Sequence, residues 1–295
     1  MKLTWKILKC CLPLAGIAGC MLAAGKEEAG GSLLEKYSLL ENRLHNSQFR
    51  QPVVLDSTEA GNLITGEIHA VIDQPFAVVS DGLNQPAHWC DVLSLHINTK
   101  YCRAVQESGL SVLKVNFGRK TQQSLQDATR IKFTYTSVAA TSSYLDIKLN
   151  APQGALGTSN FHIEFEAVPL ADNTTFLHFT YSYSINFATR LATNAYLATI
   201  GSNKPGFTVT GVDRNGKPQY IGGVRGIMER NTMRYYLAIN SFFAAGSGSE
   251  AEQLEQRLQS WFSAVEEYPV QLHEMDRAEY LLMKHAESLR QQTAD

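Results

Sequence analysis

Three groups of residues in this sequence are of the types that do chemistry. The first is His88, Cys90, His96 and Cys102. Imidazoles and thiols bind zinc, but structural zinc sites draw their ligands from pairs separated by about two to five residues in fixed combinations. Here one residue lies between His88 and Cys90 and five lie in each later gap, which matches no standard finger or ribbon. The second group is Arg225, Glu229, Arg230, Asn231, Arg234 and Tyr235. Arg225 and Glu229 stand four apart and read as a solvated ion pair. Asn231 instead falls on the apolar stripe Val224, Ile227, Met228, Tyr235, Ala238, Ile239 and Phe242, with Arg230 and Tyr235 beside it. A buried amide needs a partner, so it either anchors a loop or meets a ligand head group. The third group is Phe133, Tyr135, Phe179, Tyr181 and Tyr183. An aromatic stripe on a strand is by itself ordinary core packing, yet each buried hydroxyl must find an acceptor or a ligand. No nucleophile elbow, HExxH, P-loop or dinucleotide fingerprint occurs. No catalytic residue, metal or cofactor is assigned.

These residues must be positioned by strands and one long helix. Leu177, Phe179, Tyr181, Tyr183 and Ile185 alternate with His178, Thr180, Ser182 and Ser184, and Phe161, Ile163, Phe165 and Ala167 alternate with His162, Glu164 and Glu166. Such alternation predicts long antiparallel strands with one dry face and one wet face. His162 and His178 fall on the wet face. Ile131–Val138, Leu145–Leu149, Ser111–Phe117, Val53–Leu55 and Leu63–Val71 read as further strands. Pro75 and Pro86 open two short helical or turn segments. Helices follow over Phe187–Ile200 and Val224–Phe243, with a hairpin between them turned by Asn215-Gly216. Two polar amphipathic helices, Glu250–Glu267 and Val270–Gln292, are separated by Pro269.

The first residues set the compartment. Lys2, Lys6 and Lys9 precede the apolar run Cys10–Gly19, which is shorter than the roughly 20 residues a membrane-spanning helix needs. Ile17-Ala18-Gly19-Cys20 resembles the lipobox of bacterial lipoproteins, with Cys20 as the lipidated residue; unlipidated cleavage near Ala23–Gly25 is the alternative. Export leaves Cys90 and Cys102 as a pair in an oxidising space, read as a disulfide. The net charge of −2, with 44% hydrophobic and 18% charged residues, describes a chain that folds and carries no basic footprint for nucleic acid.

The order of elements resembles the helix-grip fold of the START-like superfamily, which includes polyketide cyclases and lipid-transfer domains. Ile64–Asp73 stands as the first strand, Gln74-Pro75-Phe76-Ala77-Val78-Val79 enters the first short helix, and Trp89 lies in the second. Phe161–Pro169, Thr175–Ile185 and Val224–Phe243 complete a match over about Val53–Ala245. Trp89-Cys90-Asp91, Gly157-Thr158 and the run from Gly223 to Asn231 resemble bacterial secreted proteins with no assigned activity. The resemblance implies an α+β fold in which a curved antiparallel sheet wraps a long helix, with extra N- and C-terminal helices. The organisation expected is a signal segment (1–20), a tether and N-terminal helix (21–50), the START-like domain (51–246) and a C-terminal helical extension (247–295). It also implies a cavity for a hydrophobic small molecule or lipid. Phe133, Tyr135, Phe179, Tyr181, Tyr183, Arg230, Asn231, Tyr235 and Ala238 are the ligand contacts expected. The function expected is non-catalytic binding or carriage in the cell envelope, membrane-attached through Cys20. A cyclase- or hydrolase-type enzyme and a ligand-free scaffold are the alternatives.

Overall fold

In the computed structural model, which describes residues 15–155, 157–198 and 204–293, the alternating segments join into one antiparallel sheet. Its strands are β1 (Val53–Ala60), β2 (Leu63–Ile72), β3 (Thr99–Glu107), β4 (Leu110–Phe117), β5 (Thr129–Ala140), β6 (Leu145–Gln153), β7 (Thr158–Pro169) and β8 (Thr175–Ile185). The helices are α1 (Ala15–His45), α2 (Phe76–Leu83), α3 (Pro86–Leu95), α4 (Phe187–Ala198), α5 (Gly223–Phe243), α6 (Glu250–Glu266), α7 (Pro269–Leu272) and α8 (Arg277–Thr293). The sheet order is β1-β2-β8-β7-β6-β5-β4-β3. All its neighbours are consecutive in sequence except β2 and β8, which pair from Leu63↔Ser184 to Ile72↔Thr175. α2 and α3 carry the chain from β2 to β3 at the far edge. A two-stranded hairpin, β9 (Val209–Val212) and β10 (Pro218–Tyr220), stands between α4 and α5.

The grip helix is α5. It packs on β1, β2 and β8 with one side and on α6 with another. Gly66 of β2 allows the approach, because a Cβ there would collide with Thr232 and Met228 of α5. Contact on several sides explains why the helix is buried nearly all round instead of showing one clean stripe. Leu258, Trp261 and Phe262 of α6, and Tyr280 and Met283 of α8, belong to the same apolar core as the sheet residues. The chain therefore has an α+β helix-grip fold whose C-terminal helices close the core.

α1 covers part of the other face of the sheet. Leu33, Leu40 and Leu44 are buried with Val54, Val168 and Phe176, and Tyr37 packs on Phe176. Gly30 lies against Tyr144. Leu34 and Leu39 point outward.

Several expectations are revised. Within the stretch expected to hold a tether before the N-terminal helix, Lys26–Gly31 has helical backbone and belongs to α1. β3 was not anticipated: its first four residues are all buried and its last five are partly or fully exposed, so it has no alternation to read. The final helix begins at Arg277 instead of Val270, because Pro269 opens only the short α7. The leading segment up to residue 14 and the last two residues of the helix expected over Phe187–Ile200 lie outside the described residues. Among the described residues no helix is long and apolar enough to cross a membrane.

Candidate functional site inside the grip

The concave face of the sheet brings together a subset of the expected contacts. Gly66 of β2 is paired with Tyr181 of β8, Tyr181 with Ile163 of β7, Ile163 with Leu149 of β6 and Leu149 with Tyr135 of β5. Tyr181 therefore sits next to the strand on which α5 rests, and Tyr135 stands three strands further along the same row. Phe179 and Tyr183 flank Tyr181 on the same face. Tyr235 descends from α5 to meet them, its ring centroid 5.1 Å from Tyr181 and 6.4 Å from Phe179. Tyr181 and Tyr183 lie 5.6 Å apart, and Phe161 stacks on Tyr183 at 5.1 Å. Phe133 joins through Phe161 at 6.2 Å. The cluster lies toward the end of the grip where β8 leads into α4. Ala238 is fully buried one turn along α5 from Tyr235.

The three hydroxyls of Tyr181, Tyr183 and Tyr235 make no hydrogen bond among the described residues. The residues keep 5, 8 and 4% of their surface accessible. Burial raises all three phenols, Tyr183 to about 12, so each stays protonated as a donor.

His96 extends the cluster. It caps the C-terminal end of α3 and stacks on Tyr235 with centroids 4.6 Å apart. Its Nδ1 accepts the Asn98 backbone N–H at 3.2 Å, which assigns the proton to Nε2. Nε2 is sealed from solvent and has no acceptor. Burial holds the ring well below the usual imidazole range, helped by Arg234 and Lys284, so it is neutral. The sequence singled out His96 only as a possible zinc ligand; nothing in its spacing links it to Tyr235.

The other expected contacts lie elsewhere. Tyr135 Oη approaches Leu83 O and Asn84 Oδ1 at the end of α2, each at 3.5 Å. Arg230 binds the backbone carbonyls of Lys204 and Pro205, and so holds the segment before β9. Its charge nevertheless reaches Tyr183. Asn231 is half-buried and accepts weakly from Arg234 at 3.4 Å. Arg225 and Glu229 do not form the expected solvated pair. Arg225 binds the side chain and carbonyl of Ser57, whereas Glu229 is fully buried. Its carboxylate accepts from Ser57 Oγ, the Phe207 and Thr208 backbone N–H groups and Thr208 Oγ1, at 2.6 to 2.9 Å.

Cys90 of α3 and Cys102 of β3 form a disulfide with Cα atoms 5.1 Å apart. It ties α3 to the edge strand, while the Trp89 indole N–H donates to Leu83 O and ties α3 to α2. Among the described residues no group of His, Cys, Asp or Glu is arranged to hold a metal. Cys20 lies on α1.

Two recesses lie outside this cluster. One of about 380 Å³ opens between the end of α1 and β1, lined by Asn42, Arg43, Ser47, Phe49 and Leu55. The other, about 10 Å³, lies among Arg234, Trp261 and Tyr280 and has room for about one water. The convex face of the sheet carries a ladder in which Glu67 and Glu166 flank His178, and His178 stacks on His69 at 4.3 Å. Burial opposes the charge on His178, but its bonds to Glu166 and Glu67 outweigh that and lift it to about 9. His69 is held down to about 3, mainly by burial.

No family model matches the chain, and no curated protein matches it. Among solved structures it is similar to a norcoclaurine synthase point mutant from Thalictrum flavum, at 10% identity and TM-score 0.34, over 50% of this chain and 93% of that one. It is similar to an aromatase/cyclase from Streptomyces sp. R1128, at 12% and 0.32, over 69 and 96%. A conserved protein of unknown function from Enterococcus faecalis is similar at 11% and 0.33, over 87 and 99%.

Proposed function

We propose that the grip binds an apolar small molecule or lipid without transforming it, and that the protein does so in the cell envelope. The observation that carries this reading is the set of Tyr181, Tyr183 and Tyr235 hydroxyls, which lie inside an aromatic cluster and bond to none of the described residues. A fold that placed three phenols there only as packing would lose nothing by using phenylalanine, since an unmet buried hydroxyl costs about 1–3 kcal/mol. Phenols pushed upward hold their protons and serve as fixed donors, which suits binding better than proton shuttling. Attachment through Cys20 would keep the grip beside a membrane, the source of such a ligand. Cys20→Ala is then expected to move the protein from the membrane to the soluble fraction.

The test of binding is Ala238→Trp. In a grip that admits ligand, the indole occupies ligand space, and binding of an apolar fluorescent probe is lost while the fold persists. If the wild-type protein binds no apolar probe, or the variant only unfolds, the scaffold reading takes its place.

A further inference from the structure

The seat of α8 is built from charges over half its length. Tyr280 and Met283 bury its first turns in the core, and Tyr280 stacks on Trp261 of α6 at 5.0 Å. One turn on, the buried residues are Lys284 and Glu287, and they meet Lys100 of β3, which is fully buried. Glu287 accepts a hydrogen bond from each lysine, at 2.9 Å from Lys100 and 2.8 Å from Lys284. Two ammonium groups therefore share one carboxylate. Arg290 adds a further positive charge nearby, and His96 is neutral. Burying charges costs close to what their pairing returns, so this half of α8 is held in register more than it is held tightly.

The same groups grasp the turn between α3 and β3. Tyr280 Oη donates to Leu95 O at 2.9 Å, and Lys284 Nζ donates to His96 O at 2.7 Å and to Thr99 O at 2.9 Å. Lys100 Nζ donates to Ile97 O at 3.1 Å. On its inner side this turn carries His96, whose ring stacks on Tyr235 of α5 at 4.6 Å. We propose that α8 is a releasable strap: it leaves and re-seats on this turn while the sheet stays folded, and its seating sets the contact between His96 and Tyr235. The strap would act this way whether or not the grip takes a ligand. Its response to pH follows from the seat. Burial, against the pull of Glu287 and with Lys100 and Arg290 repelling, lowers Lys284 from the ordinary 10.5 to about 8. The released lysine holds its proton more firmly than the seated one, so release takes up a proton between about pH 8 and 10.5. Rising pH therefore tightens the strap, about ten-fold between pH 7 and 9.

Amide hydrogen exchange of the full chain, read by NMR at pH 7 and pH 9 and corrected for the intrinsic rate at each pH, tests this. The amides of Lys284 and Glu287 should exchange faster than those of Phe165 and Phe179 in the middle of the sheet, through an opening that leaves the sheet intact. The Asn98 and Thr99 amides, which donate to His96 Nδ1 and His96 O, should exchange in step with those of α8. Protection of both sets should rise about ten-fold from pH 7 to pH 9. Lys284→Met, which keeps the length of the side chain and removes its charge, should abolish that rise. Exchange of α8 only at the rate of the sheet would overturn the strap. Separate exchange of α8, with Asn98 and Thr99 still at the sheet rate, would overturn its hold on His96. Wild-type protection that does not rise with pH, a measurement that needs no variant to fold, would overturn the part given to the buried lysine, as would a rise that persists in Lys284→Met.

Discussion

Glu229 is the residue whose loss should disrupt this molecule most. It lies on the grip helix, fully buried, and its two oxygens hold four donors from two other parts of the chain: Ser57 on β1, and Phe207 and Thr208 just before β9. Glu229→Ala removes the acceptor and leaves two backbone N–H groups and two hydroxyls inside the protein. Each buried orphan costs about 1–3 kcal/mol, partly offset by no longer burying a carboxylate, so a net loss of about 3–5 kcal/mol is expected. A domain of this kind has roughly 5–15 kcal/mol in total, so the variant should sit near its unfolding threshold. Urea denaturation measures the loss, as a lower midpoint at unchanged slope. Hydrogen exchange locates it: the Phe207 and Thr208 amides should lose protection beyond the global change. A loss below about 1 kcal/mol, or unchanged protection at those two amides, would refute the claim that this carboxylate pins the β9–β10 segment to the grip.

Gly66→Val should wedge β2 from α5 through Thr232 and Met228, costing about 1–3 kcal/mol or more; a melting temperature equal to wild type would contradict the close approach. His178→Gln should cost of order 2 kcal/mol near pH 6.5. The native pKa of about 9 lies above the ordinary 6.5, so this contribution is full below about 6.5 and fades as the pH rises through 9. The gap between wild type and variant should therefore close by pH 10, and a gap constant with pH would refute it. Reducing Cys90–Cys102, which are separated by 12 positions, should destabilise by about 3 kcal/mol; equal urea midpoints with and without reductant would contradict this.

The parts legible in the sequence were those governed by period. The alternation in Phe161–Ala167 and Leu177–Ile185 gave strands with the correct core faces; the opposite side is wet only where α1 does not cover it. The stripe of Val224–Phe242 gave the long helix. β3 escaped because burial at its start is two-sided. The fate of Glu229 escaped for a related reason: its partners on β1 and before β9 are distant in sequence, and a helix pattern reports only i,i+4 neighbours. His96 could be tied to the tyrosines only by the stacking that the turn after α3 creates. Asn231 reads as lying on the stripe with Arg230 beside it, but α5 is buried nearly all round, so the stripe does not say which neighbour each side chain meets. Arg230 turns to Lys204 and Pro205, and Asn231 to Arg234.

The central claim is that an apolar ligand enters between α5 and the sheet. Native mass spectrometry of the protein purified gently from envelope extracts tests it most directly. The account predicts an adduct of lipid-like mass that is present in the wild-type protein and absent from Ala238→Trp. A wild-type spectrum showing only the protein mass, and still only that after incubation with hexadecanoate, would contradict it.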